Sequence, residues 1–115
     1  MKKIEAVIRP EKLAPVKDAL EDRGIVGLTI TQVRGHGRQK GITLQWRAGE
    51  YRVDLLSKVK LELVLNDEDC QMAIDTICTA ARTGREGDGM IFVQAVENAI
   101  RVRTGDCGEK CLDIK

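Results

Sequence analysis

Hydrophobic and polar positions alternate from Lys3 to Arg9, with Ile4, Ala6 and Ile8 on one face, and this period of two predicts a strand. Pro10 ends it. From Glu11 to Arg23 the spacing changes: Leu13, Val16 and Leu20 recur as on one face of a helix, and Gly24 stands where a C′ glycine belongs. Pro15 is compatible with that helix only in its first turn. Leu28 to Arg34, rich in β-branched Thr29, Ile30, Thr31 and Val33, predicts a second strand. Val59, Leu61, Leu63 and Leu65 give the cleanest alternation in the chain, with Lys58, Lys60 and Glu62 pointing the other way. Asn66 or Asp67 then caps a helix whose stripe is Cys70, Ile74, Ile77, Cys78 and Ala81. Met90 to Val96 reads as a fourth strand and Ile100 to Val102 as a short fifth.

The order β-α-β-β-α-β is that of an α+β, ferredoxin-like fold, with both helices on one face of an antiparallel sheet. The link between the second and third strands, about residues 35–57, is out of proportion. Hairpin connections take about 2–5 residues, and loops beyond about 12–15 are usually functional or disordered.

At 115 residues the chain is one domain, small enough that oligomerisation would help it. Charged residues make up 32% and nearly cancel to +1, and aromatics are only 3%. Neither the basic field of a nucleic-acid binder nor its stacking platforms are there. No apolar run reaches the ~20 residues of a membrane span, and no signal-peptide core is evident. The expectation is a cytoplasmic protein with mostly reduced cysteines.

The chemistry concentrates in two glycine-rich stretches. Gly35-His36-Gly37-Arg38-Gln39-Lys40-Gly41 interleaves glycines with cations, directly after Arg34. Thr83-Gly84-Arg85-Glu86-Gly87-Asp88-Gly89 is the second, and Arg101 and Arg103 follow late in the chain. Glycine lets backbone N–H groups approach an anion closely, and neighbouring cations favour phosphate or carboxylate. The spacing is not that of a Walker A loop. No nucleophile–base pair is evident; His36, the one histidine, reads as a solvated loop residue and Asp88 as a turn-former or ligand contact. Cys70 and Cys78, eight apart on one helix and so roughly 12 Å apart along its axis, cannot bridge and read as core.

The first glycine stretch resembles the opening of the T-loop of PII signal-transduction (nitrogen-regulatory) proteins. Arg47, Glu50 and Tyr51 resemble the loop tip, and Asp54 through Lys60 its return. Thr83 through Val93, with residues 82–90 as the loop itself, resembles the B-loop and following strand, and Arg101-Val102-Arg103-Thr104-Gly105 the start of the C-loop. The match covers residues 1–106 and leaves 107–115 as a tail. The resemblance implies a homotrimer that covers the open sheet face and binds ATP, ADP or AMP in three intersubunit clefts. It implies nucleotide contacts at Gly35, Gly37, Arg38, Gly87, Asp88, Gly89, Arg101 and Arg103, with Thr29 and Val64 near base and ribose. It implies Mg²⁺ on Gln39, and 2-oxoglutarate against that metal, held by Lys58 and the backbone around Lys40 and Gly41. Tyr51 matches the tyrosine that some members uridylylate. The implied role is non-catalytic: a T-loop presented to a transporter or metabolic enzyme, with no nucleic acid and no membrane insertion.

Departures are informative. The B-loop of the family closes Gly-Asp-Gly-Lys, and here the last residue is Met90. Glu86 replaces a usually apolar residue, and the loop tip reads Trp46-Arg47-Ala48-Gly49-Glu50-Tyr51, after an atypical Leu44 and Gln45. Fewer cations near the outer phosphates should cost ATP more than ADP or AMP. The tail carries Cys107 and Cys111, read either as a reversible disulfide or as two inert thiols. A cysteine-paired tail is faintly similar to that of PII-like proteins paired with bicarbonate transporters, so regulation of inorganic-carbon uptake is an alternative. A small ferredoxin-like enzyme or metal-binding trimer is another.

Overall fold

The computed structural model describes residues 1–36, 42–46, 49–53 and 55–112. Strand β1 (Lys2–Ile8) is followed by a 3₁₀ turn at Pro10–Lys12 and helix α1 (Leu13–Asp22). The helix therefore starts after the predicted Glu11, and Pro15 falls in its first turn, where its missing N–H leaves no acceptor unpaired. Gly24, at φ 84°, closes α1. Its N–H donates to Glu21 O (2.9 Å) and that of Ile25 to Leu20 O (2.9 Å), a Schellman closure that turns Ile25 into the core.

Then come β2 (Thr29–Gly35), β3 (Ile42–Trp46), β4 (Gly49–Val53), β5 (Leu56–Leu65), α2 (Asp67–Ala81) and β6 (Gly89–Ala95). Strands β2, β5, β1 and β6 form one antiparallel sheet in that order, as a ferredoxin-like fold requires. β3 and β4 pair separately, from Ile42 opposite Val53 to Trp46 opposite Gly49. The long link read from sequence as loop thus contains a hairpin. The predicted fifth strand at Ile100–Val102 is corrected to a single bridge between Ile100 and Cys107, because the chain turns at once, with Gly105 N–H donating to Arg101 O (2.8 Å).

Both helices pack on one sheet face. Ile4, Ala6 and Ile8 of β1 and Val59, Leu61, Leu63 and Leu65 of β5 meet Val16 and Leu20 of α1 and Ala73, Ile77 and Ala81 of α2. Each large apolar side chain removed from water there stabilises the fold by about 1.5–3 kcal/mol. Ala73 was not read as core, and Cys70 and Cys78 are half-buried rather than central, because the stripe of α2 centres on Ile77. Asn66 takes the N-cap position of α2, but its side chain makes no capping bond; Asp67, Glu68 and Asp69 fill the first turn instead, which suits the helix dipole.

The opposite sheet face is open. Across it run ion pairs from Lys3 to Glu62 (2.8 Å) and from Lys60 to Glu5 (3.3 Å) and Glu62 (3.6 Å). Exposed Met90 and Phe92 of β6 stand beside them. No helix among the described residues is long and apolar enough to cross a membrane.

Candidate functional site

The loop between α2 and β6 is wound around one carboxylate. Asp88 Oδ2 accepts from the backbone N–H groups of Thr83 (2.8 Å) and Gly84 (2.9 Å), and Oδ1 accepts from the Thr83 hydroxyl. Arg85 N–H in turn donates to that hydroxyl (3.2 Å). From the end of β1, Arg9 Nε donates to Asp88 Oδ1 (3.1 Å) and Nη2 to Glu86 O (2.7 Å). Arg9 is the one buried charged side chain among the described residues, at 8% exposure, and it is buried because it is paired. The Thr83 hydroxyl, the two backbone N–H groups and Arg9 together hold the Asp88 carboxyl well below the usual carboxylate range. Asp88 is thus the keystone of the turn, in keeping with the turn-former reading.

Glycine is required at the two ends of this loop. Gly84 and Gly87 have φ 85° and 93°, and Gly89 has φ 119°. A Cβ on Gly89 would lie 1.8 Å from Val7 O, so the backbones of β6 and β1 approach as closely as only glycine permits.

Lys58 joins this loop to the foot of the long one. Its Nζ donates to Gly87 O (2.7 Å), and burial, with the Arg9 guanidinium second, lowers its pKa below the ordinary lysine value. Gly35 lies opposite Leu56, with the Lys58 side chain alongside. Arg34, Gln32, Ser57 and Lys58 line a cleft of about 400 Å³ there. Gly35, Lys58, Gly87, Asp88 and Gly89 are therefore brought together at the end of the sheet where β1 finishes at Ile8, opposite Val59 and Gly89.

Thr29 and Val64 are not among them. Thr29 pairs with Glu62, Val64 with Lys3, and Lys2 with both Leu65 and Ala95, so these positions lie at the other end. Six residues of strand from Lys58 to Val64 span about 20 Å, too far for side chains of both groups to close on one small ligand within a single chain. The segment to Arg101 and Arg103 leaves β6 from that same far end. Arg103 is exposed and makes no hydrogen bond or ion pair to other described residues, whereas Arg101 Nη2 donates to Cys111 O (2.6 Å). Cys107 and Cys111 are both free thiols. Gly37, Arg38, Gln39, Lys40 and Gly41 lie outside the described residues, and Tyr51 is described only as a β4 position paired with Leu44. No cluster of three or more His, Cys, Asp or Glu side chains suited to a metal ion is found among the described residues.

A family model described as nitrogen regulatory protein P-II matches residues 1–106. The chain belongs to the P-II family. Curated relatives include nitrogen regulatory protein P-II 2 of Methanothermobacter thermautotrophicus, 53% identical over 112 residues, covering 97% of each chain. The P-II protein of Rhodobacter capsulatus is 56% identical over 109 residues, covering 95% of this chain and 97% of its own. That of Rhizobium meliloti is 56% identical over 108 residues, covering 94% and 96%. This P-II chain is accordingly a non-catalytic signalling regulator. The Asp88-centred turn falls in the stretch that resembles the family's B-loop, and β3 and β4 in the stretch that resembles its T-loop. Arg9 was missed in the sequence. Its only signal was an arginine directly ahead of Pro10 at a strand end.

Proposed function

We propose that this P-II chain is a cytoplasmic sensor of adenine nucleotides, assembled as a homotrimer, that acts on a transporter or metabolic enzyme through its T-loop. The observation that carries the reading is the division of the candidate residues between two ends of one sheet. In a trimer that buries the open face, the Gly35–Lys58–B-loop end of one subunit meets the Thr29, Val64, Arg101 and Arg103 end of the next. Phosphates then lie against Gly87, Asp88 and Gly89, whose carboxylate is already neutralised by Arg9 and backbone donors, with Gly37 and Arg38 closing from the T-loop side. The chemistry of the donor set fits a phosphate chain: glycine backbone N–H groups and arginines from a neighbour, with buried Arg9 offsetting the Asp88 charge. Gln39 is the residue that would hold Mg²⁺, and 2-oxoglutarate would sit against Lys40, Gly41 and Lys58. When bound, the metal would supply charge neutralisation between the keto-acid and the phosphates. Tyr51 is the position for uridylylation.

The test is titration calorimetry with ATP, ADP, AMP, 2-oxoglutarate and bicarbonate, with mass measured by light scattering. Arg103→Ala is expected to leave the trimer intact and weaken nucleotide binding roughly 10- to 150-fold, the loss of one charge-assisted hydrogen bond of about 1.5–3 kcal/mol. A monomer, or unaltered affinity, would sink the reading. Heat from bicarbonate and none from 2-oxoglutarate would favour inorganic carbon as the signal.

Met90 gives a sharper expectation. It is exposed beside the B-loop on β6, where the family's lysine would face the outer phosphates. Met90→Lys is expected to tighten ATP by more than AMP, because AMP has nothing there to neutralise. Equal gains in parallel titrations would show that the missing charge is not what sets nucleotide preference; no gain at all would point to Arg85 as the cation already serving that role.

A further inference from the structure

The tail is folded onto the C-loop rather than trailing from it. Gly108, at φ 73°, turns the chain into a 3₁₀ segment, Gly108–Leu112. Gly108 N–H donates to Ala99 O (3.0 Å) and to Asn98 Oδ1 (3.1 Å), and Cys107 bridges to Ile100. The Cys111 thiol lies 2.8 Å from Asp106 O and 3.2 Å from Ala99 O. These contacts place Cys111 O where Arg101 Nη2 donates to it at 2.6 Å. A guanidinium on a backbone carbonyl is a charge-assisted bond; the N–H committed to it cannot serve a phosphate oxygen at once, and the rigid fork fixes where its other donors point. Arg103, two residues on, is held by nothing comparable among the described residues.

We propose that residues 107–112 form an autoinhibitory strap that withholds Arg101 from the nucleotide phosphates while leaving Arg103 available. The inference rests on the nucleotide reading above and adds to it that the two arginines are unequal. A bound nucleotide has to displace the strap to recruit Arg101, so the apparent affinity is reduced by the fraction of sites with the strap open. Physically, the strap is weak enough for this. It is a single short 3₁₀ segment on the surface, with Cys111 and Leu112 only half-buried.

The experiment compares ADP affinity by calorimetry in the full chain, in a chain ending at Asp106, and in full-length Gly108→Val. The first variant removes the strap at the end of the family match. The second keeps its length but strains the left-handed turn, where a Cβ meets nothing within 4 Å and only φ opposes it. Removal is expected to tighten ADP about tenfold, as for a site competent one time in ten, and Gly108→Val by a smaller factor. Arg101→Ala should abolish that gain, while Arg103→Ala should weaken binding equally with or without the strap. Peptide-resolved maleimide labelling gives an independent readout: ADP should accelerate modification of Cys111 and leave Cys70 unaffected. Unchanged or weaker ADP binding on strap removal, or protection of Cys111 by ADP, would overturn the strap while leaving the nucleotide reading in place. Absence of ADP binding in every form would overturn both.

Discussion

Gly89→Ala is expected to cost this protein much of its stability, well beyond the effect of any other single methyl group in the B-loop. The added Cβ would sit 1.8 Å from Val7 O and 2.9 Å from its carbonyl carbon, and both are backbone atoms of β1, a strand paired on both edges. They cannot rotate away, so relief requires β6 to lift from β1 at the Ile8–Gly89 pair. Strained backbone alone costs about 1–3 kcal/mol, and losing strand pairing takes the total into the exceptional class above about 4 kcal/mol. A fall in Tm of roughly 15 °C or more follows for a domain of this size. Gly84→Ala is the control: its φ is 85°, but the new methyl group meets nothing within 4 Å, so it pays only the strain. Equal losses for the two variants in thermal melts would show that the contact with β1 is not what demands glycine.

Asp88→Asn is the second large effect, and it falls on binding. The neutral side chain presents an N–H₂ group where Thr83 and Gly84 N–H groups, the Thr83 hydroxyl and Arg9 all seek an acceptor. One half of the donor set must lose its partner, and Arg9 is left buried beside an uncharged group. Nucleotide affinity is expected to fall on the order of tenfold or more, together with an altered acid limb of stability. The sign follows from the carboxyl's lowered pKa. Unfolded, Asp88 titrates near its ordinary 3.8, and folded it titrates lower, so between the two the unfolded chain binds more protons and stability rises with pH. Its contribution is whole above the unfolded value and is lost as pH falls through the folded one. Denaturant melts from pH 5 downward should therefore show a steeper acid decline for the native protein than for Asp88→Asn. Parallel curves would mean that the carboxylate is not stabilising the loop.

Much of this was legible because the sheet's inner face is strictly alternating. Ile4, Ala6 and Ile8, and Val59 through Leu65, have no other way to bury their side chains, so strand, face and neighbour follow together. Gly24 was legible for the same kind of reason: a helix end needs a left-handed residue, and one was waiting. The hairpin β3–β4 was not seen, although Ile42, Leu44 and Trp46 alternate and Gly49 follows at two-residue hairpin spacing. An apolar period this short, directly after a run of glycines and charges, is a weak strand signal. The glycine clusters were legible as a candidate anion site, but the organiser of the second one is a pairing between Arg9 and Asp88, 79 positions apart, which no local pattern encodes. The tail's two cysteines stood out in the sequence, whereas its grip on Arg101 depends on where the Ala99 and Asp106 carbonyls point.

The bond from Lys58 to Gly87 O ties the start of β5 to the Asp88-centred turn through one ammonium. An anion that pulls Lys58 out of that bond leaves the Gly87 carbonyl without this donor, and whatever reshapes the loop around Gly87 changes how readily Lys58 can turn. The coupling is reciprocal by thermodynamic necessity: if a carboxylate at Lys58 alters the affinity of the B-loop for phosphate by some factor, phosphate alters carboxylate affinity by the same factor. If both ligands bind as proposed, such a protein would report their conjunction rather than two separate concentrations, with Lys58 as one point of coupling between them.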